Sequence, residues 1–501
     1  MKLFVSMLRI LIFFTFLFPA KSFATFVDSL RLSDALQNNM VVQQNKPFKV
    51  WGKAESGRKV VIHADWLSGS TEVYADTTGD FMAIIPVPKA LKGDFTPHRM
   101  DVIAGGEKVA LTNLLIGDVW LCSGQSNMQF AVKEMKDAEQ VIYKADQPHI
   151  RLLNVALNFS ETPLTNFRGE WQNCSPESVR EFSAVGYSFG KKLLDSLQFP
   201  IGLVFTGIGA SGVQAYIPKE DLANDTMLNR VYLQPYLADP KSKEPIDGGF
   251  SFEKVIRPYL LYNAMVHPLI NLSVKGFIWY QGEANHLERA SYVRATQTMI
   301  TSWRSDFSQG ELPFYYVQIA PFFHDEENPT LAFDAYFREA QEKVADLNNT
   351  YMVSTMDVGE AKDLHPKNKR PVGERLAAVA LNRVYHKLDV SYQGPVMDDV
   401  SFHGKRAYVS FEPETLGNGL QTNDGQPPKF FYVAGSDRIF YPAEALIDGE
   451  RIVVESDKVT EIASVRYAFF NYPVTNLENK AGFPALPFRT DRWEETLNEN
   501  R

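Results

Sequence analysis

The chain has 501 residues, 45% of them hydrophobic and 22% charged, and a formal net charge of -9. That length allows roughly two to four domains, and the composition supplies ample core material, which excludes a largely disordered chain. The acidic balance gives no electrostatic reason to expect nucleic acid or an anionic membrane as a partner.

Taken in chain order, the first feature is a targeting signal. Lys2 and Arg9 precede the apolar run ILIFFTFLF, and SFA at 22–24 supplies small residues of the kind a signal peptidase reads. Residues 1–24 are therefore expected to be a cleaved signal peptide, leaving a secreted or periplasmic protein that begins near Thr25. The run falls short of the ~20 apolar residues of a membrane span, and no later stretch reaches that length, so no membrane span is expected. Cys122 and Cys174 are the only cysteines. They do not make a disulfide scaffold, and free, buried thiols are favoured over a pair.

From 25 to 115 the sequence reads as short strands punctuated by Gly, Ser, Asp and Asn: MVVQQ, PFKVWGKA, RKVVIHADW, STEVYADT and FMAIIPVP. This spacing suggests a β-sandwich. From 116 to 393 the pattern changes to apolar runs, VWLCS, GLVFT, GFIWY, FYYVQIA and YMVSTMD, alternating with helical stretches. Phe182, Val185, Phe189 and Leu193 recur at helical spacing, as do Tyr292, Ala295, Met299 and Trp303. A further helix is expected from Pro371 through Val372, Leu376 and Val379. Five buried strands separated by helices predict an α/β domain, a parallel five-stranded sheet covered on both faces. From 394 to 501 the chain turns β-rich again, as a second β module or as strands completing the first.

In a parallel sheet, ligands bind beyond the carboxyl ends of the strands. Four candidate segments follow such ends here: GQSNM around Ser126, GIGASG at 207–212, QGEAN at 281–285, and GEAKDLHP at 359–366. A serine becomes a nucleophile when an imidazole takes its proton and a carboxylate steadies the imidazole. Asp363 and His365 are two apart, a spacing that lets both face one serine. Each segment also has a plainer explanation. Ser126 is a natural helix N-cap, Asp363 another, and Gln281 and Asn285 are amides that loops use on themselves. No HExxH, paired CxxC or P-loop occurs, so neither a metal nor another cofactor is expected. Residue 128 is Met where an α/β-hydrolase elbow has its second glycine.

DVWLCSGQSNM, GFIWYQGEAN, FREAQ and DLHPKNKRPVGERLA resemble the sialate O-acetylesterase family of the SGNH (GDSL-like) hydrolase superfamily. The resemblance extends from the β-rich opening to the closing NKAGFPALPFRTD. It implies a secreted carbohydrate O-acetylesterase with Ser126 as nucleophile, His365 as general base and acid, and Asp363 as its orienting carboxylate. It further implies an oxyanion hole from the Ser126 and Gly209 N–H groups plus one side-chain amide, Gln281 or Asn285, with Gln281 preferred. Trp279, Tyr280 and Tyr216 lie close enough in sequence to stack on a sugar, although aromatics beside strand ends more often pack in the core. The implied substrate is an acetylated sugar or glycan, O-acetylated sialic acid first. Acetylxylan or another plant polysaccharide is the alternative within the class, and a dormant carbohydrate-binding protein the alternative outside it. Oligomeric state leaves no signal in the sequence.

Overall fold

The computed structural model describes residues 29–324 and 330–493. The signal-peptide expectation falls outside them. Among the described residues no helix is long and apolar enough to cross a membrane.

The centre of the molecule is a twisted sheet. Its strands in chain order are β1 (Glu107–Gly124), β2 (Gln147–Asn154), β3 (Trp171–Cys174), β4 (Ile201–Gly207), β5 (Gly276–Tyr280), β6 (Phe314–Val317) and β7 (Thr350–Val353). Their spatial order is β3-β2-β4-β1-β5-β6-β7. All neighbours are parallel except β3, which pairs antiparallel to β2 at the edge. The five expected strands are thus present, and β2 adds a sixth parallel member. Its sequence, QPHIRLLN, opens with polar residues and a proline and is interrupted by Arg151, so it lacks the continuous apolar signature of a buried strand.

Helices cover both faces. On one, α2 (Ala184–Leu197) packs against α5 (Arg370–Arg383) and buries Val185, Phe189, Leu193, Leu376 and Val379. On the other, α3 (Ala290–Phe307) buries Tyr292, Ala295, Met299 and Trp303 beside α4 (Phe333–Glu342). These are the apolar stripes that the sequence spacing marked.

The N-terminal β region is joined to this sheet by one continuous strand. β1 is 18 residues long: its first part pairs with His98–Ala104 and Val41–Gln43, its last part with β4 and β5. Residues of both N-terminal sheets, among them Val50, Phe81, Ile62 and Val102, belong to the same apolar core as the sheet face beneath α3. The C-terminal strands pair among themselves, in two four-stranded sheets and one two-stranded sheet. Their core holds Val409, Phe431, Val454 and Tyr467 and reaches the central sheet through Met356. Cys122 and Cys174 are both buried and free.

Candidate active site

β1 ends against β5 at a point only glycine can pass. Gly124 has φ +141°, and a Cβ there would stand 2.1 Å from the Tyr280 carbonyl oxygen. The next residue, Gln125, donates its N–H to that same oxygen at 3.0 Å. Its side-chain Oε1 accepts the N–H groups of Gly282 and Ala284 at 3.3 and 3.2 Å. The loops after β1 and β5 are thereby tied together, and the short helix α1 (Ser126–Gln129) starts between them. Ser126 is its first residue, where helical N–H groups lack intrahelical acceptors. The Ser126 N–H has no acceptor among the described residues.

His365 reaches this serine from the loop beyond β7, its Nε2 lying 2.8 Å from Ser126 Oγ. Asp363 holds the loop through the backbone: its Oδ1 accepts the His365 N–H at 2.8 Å and lies 3.6 Å from the ring Nδ1. Both side chains are partly open to solvent, at 38% and 40% exposure. Desolvation, and then the nearby Lys369 ammonium, hold His365 below the usual histidine range, while Asp363 and Glu134 act in the other direction. A neutral imidazole against a hydroxyl is poised to accept its proton. The neighbouring carboxylates are engaged elsewhere. Asp357 grips Arg375 through contacts of 2.8 and 2.6 Å, and Glu360 accepts the Lys367 N–H at 2.7 Å.

Gly209 also reaches the serine, since a Cβ on it would lie 3.5 Å from Ser126 Cβ. Its N–H donates to the side-chain Oε1 of Gln129 at 2.8 Å. Gln129 is exposed and stands three residues after Ser126, on the same face of α1. Its carbonyl oxygen occupies the donor that the resemblance assigns to an oxyanion. Sequence reasoning missed this residue, and its spacing from Ser126 was the only available signal.

Packing places the other expected residues among tertiary contacts. Gln281 donates Nε2 to Ser211 O and Asn285 Oδ1 at 3.2 and 2.7 Å, and Asn285 donates to Gln214 and Glu288 at 3.2 and 3.1 Å. These amides bind the loops to each other, and neither lines the cavity at Ser126. Trp279, Tyr280 and Tyr216 are 0%, 1% and 0% exposed and present no surface to a sugar. Tyr216 instead braces the strand ends, donating its hydroxyl to Gly124 O at 3.1 Å.

The cavity over Ser126 measures 730 Å³, and Gln129, Phe130, Glu134, Asp363, His365 and Lys367 are on its wall. Beneath it runs a buried polar chain that the sequence reading did not identify: Lys369 Nζ donates to Asn127 Oδ1, and Asn127 Nδ2 donates to Glu283 Oε1 and to Leu364 O. Metal-ligating chemistry gathers elsewhere. His286, His324 and Asp334 bring their ligand atoms within 4.8 Å of one another, with Asp334 accepting from His286 Nδ1 at 2.9 Å and from His324 Nε2 at 2.8 Å.

The family model for carbohydrate esterases described as sialic acid-specific acetylesterases matches residues 116–235 and 246–382, which carry Ser126, His365 and Asp363. The sialate O-acetylesterase of Pongo abelii is 27% identical over 91% of this chain and 92% of its own. That of Mus musculus is 29% identical over 88% and 90%. Among solved structures, a carbohydrate acetylesterase from Xanthomonas citri superposes with TM-score 0.81 at 33% identity, covering 92% of this chain and 100% of its own. The chain belongs to the sialic acid-specific acetylesterase family of carbohydrate esterases, hydrolases of carboxylic esters.

Proposed function

We propose that this chain is an exported O-acetylesterase that removes acetyl groups from O-acetylated sialic acid through an acetyl-enzyme on Ser126. The observation that carries the reading is the 2.8 Å contact between Ser126 Oγ and His365 Nε2, at strand ends and under an open cavity. His365 Nε2 takes the Ser126 proton as Oγ attacks the acetyl carbonyl. The oxyanion rests on the Ser126 and Gly209 N–H groups once Gln129 withdraws from the latter. Collapse expels the sugar oxygen, which His365 protonates. Water then repeats the sequence on the acetyl-enzyme and frees acetate. Asp363 steadies the positively charged imidazole. Lys367 on the cavity wall offers one positive charge to the substrate carboxylate, while Lys133 there is already paired with Glu181. Export rests on residues 1–24.

The 33% identity to the Xanthomonas carbohydrate acetylesterase favours a second reading, in which the acetylated sugar belongs to another glycan. Acetate release from O-acetylated sialic acids and from acetylated xylan, measured side by side, separates the two. The sialate reading expects the sialic acid substrates to lead in kcat/KM by about tenfold or more, a differential in transition-state binding of the size one charge pair supplies. Equal or reversed rates sink it. Lys367→Ala should raise KM on the sialic acid substrate alone.

A further inference from the structure

We propose that Lys369 is a positioning residue for the Ser126–His365 pair, acting through Asn127 and Glu283. The inference rests on the esterase reading only for its consequence in turnover, because the geometry stands by itself. Lys369 is 1% exposed, at the start of α5 and four residues after His365. Its ammonium faces the Asn127 side-chain oxygen and lies over the rings of Phe130 and Tyr280, 4.8 and 5.5 Å from their centroids. Asn127, next to the serine, spends its two amide hydrogens in different directions, one on Glu283 of the loop after β5 and one on the Leu364 carbonyl. Leu364 lies between Asp363 and His365. One side chain therefore joins the serine helix, the β5 loop and the histidine loop, and the lysine fixes that side chain from below.

A lysine kept only for packing would be poorly chosen here. Burying an ammonium forfeits its hydration, and a methionine of similar length would fill the space between the two rings without that cost. The charge has a use if it acts on the imidazole. The titratable groups facing Lys369 are Glu283, Asp363, Glu360 and Glu134, and those facing His365 are Lys369, Asp363 and Glu134. Burial pulls Lys369 down to about 7, with Glu283 the largest opposing influence. Burial likewise pushes Glu283 up. In the mildly acidic range where histidine titrates, Lys369 therefore carries its proton. Its positive charge disfavours the imidazolium, so the charge and the Asn127 clamp both hold His365 ready to accept the serine proton. Removing the charge raises the His365 pKa.

The test reads His365 directly. Its side-chain NMR signal, assigned by its loss in His365→Asn, is titrated in the wild type and in Lys369→Met, with thermal melting as the control for folding. The expected result is an upward shift of the His365 midpoint by about one unit with the acidic limb of kcat/KM on an aryl acetate moving with it, kcat falling, and KM nearly unchanged. Lys369→Arg should keep the wild-type midpoint. A Lys369→Met protein that melts like the wild type and leaves the midpoint in place overturns the proposal. Should Lys369→Met fail to fold, Lys369→Gln keeps a donor toward Asn127 without the charge and should move the midpoint in the same direction; an unmoved midpoint there also overturns it. A wild type inactive on every acetyl ester would instead refute the esterase reading, and the NMR titration would still decide the role of Lys369.

Discussion

Two histidine–carboxylate groups in this molecule look alike on paper and are built differently. Asp334 is 1% exposed and receives two imidazoles, at 2.9 and 2.8 Å, whose rings stack 4.8 Å apart. Burial opposes its ionisation, but the hydrogen bonds from His286 and His324 overcome that and bring its carboxyl down to about 2. The Asp363–His365 group is half-open, its carboxylate 3.6 Å from the ring, and its remaining ring nitrogen touches a serine. The tighter cluster is a clamp, with every carboxylate oxygen committed, that holds the loop after β5 against α4. The looser one keeps a nitrogen free to trade a proton. Closeness of histidine to carboxylate measures structural commitment. What marks the proposed active site is the imidazole nitrogen that faces a hydroxyl in a cavity.

That contrast can be broken by substitution. His365→Ala should lower kcat on an aryl acetate by about a thousandfold or more, the scale of losing the base of an acyl-transfer site. Asp363→Ala should cost less, about ten- to a hundredfold, because this carboxylate acts on the backbone N–H and faces the ring beyond hydrogen-bond distance. A loss equal to that of His365→Ala would mean that the pair tightens during turnover.

Asp334→Asn should leave kcat/KM within about threefold and cost about 1–3 kcal/mol of stability, read by denaturant melts at neutral pH. Because its folded pKa is depressed, the stability tied to Asp334 is present above the unfolded value and is lost as pH falls through about 2. The variant's deficit should therefore shrink in acid. An Asp334→Asn enzyme that is stable but inactive would make the clamp part of the chemistry. The smallest effect is expected at Gln129. Gln129→Ala frees the Gly209 N–H in the resting enzyme and should raise kcat/KM by up to about fivefold, the worth of one hydrogen bond. A rise in KM would make Gln129 a substrate contact.

Much of this was legible in the sequence, for reasons that can be stated residue by residue. Apolar runs such as GFIWY and the helical stripes Val185–Phe189–Leu193 and Tyr292–Ala295–Met299 announce buried elements because their periodicity is local. Ser126, Asp363 and His365 could be named because strand ends collect loops in this fold, and the structure brings the three together. β2 was missed because five of its eight residues are polar or proline. The hydrogen bonds of Gln281 and Asn285 to neighbouring loops were not legible, because an amide's direction is set by its tertiary partners. The Lys369–Asn127–Glu283 chain was hidden for the same reason. Its members are 242 and 156 residues apart, and no spacing along the chain encodes such a meeting.

The most direct measurement of the central claim is intact-protein and peptide mass spectrometry on enzyme quenched during turnover of an aryl acetate. The account predicts one acetyl group on the peptide carrying Ser126, more of it when deacylation is slowed, and none in Ser126→Ala, which should also lose turnover. A Ser126→Ala protein that still hydrolyses the ester at the wild-type rate, or an acetyl group trapped on another residue, would contradict it.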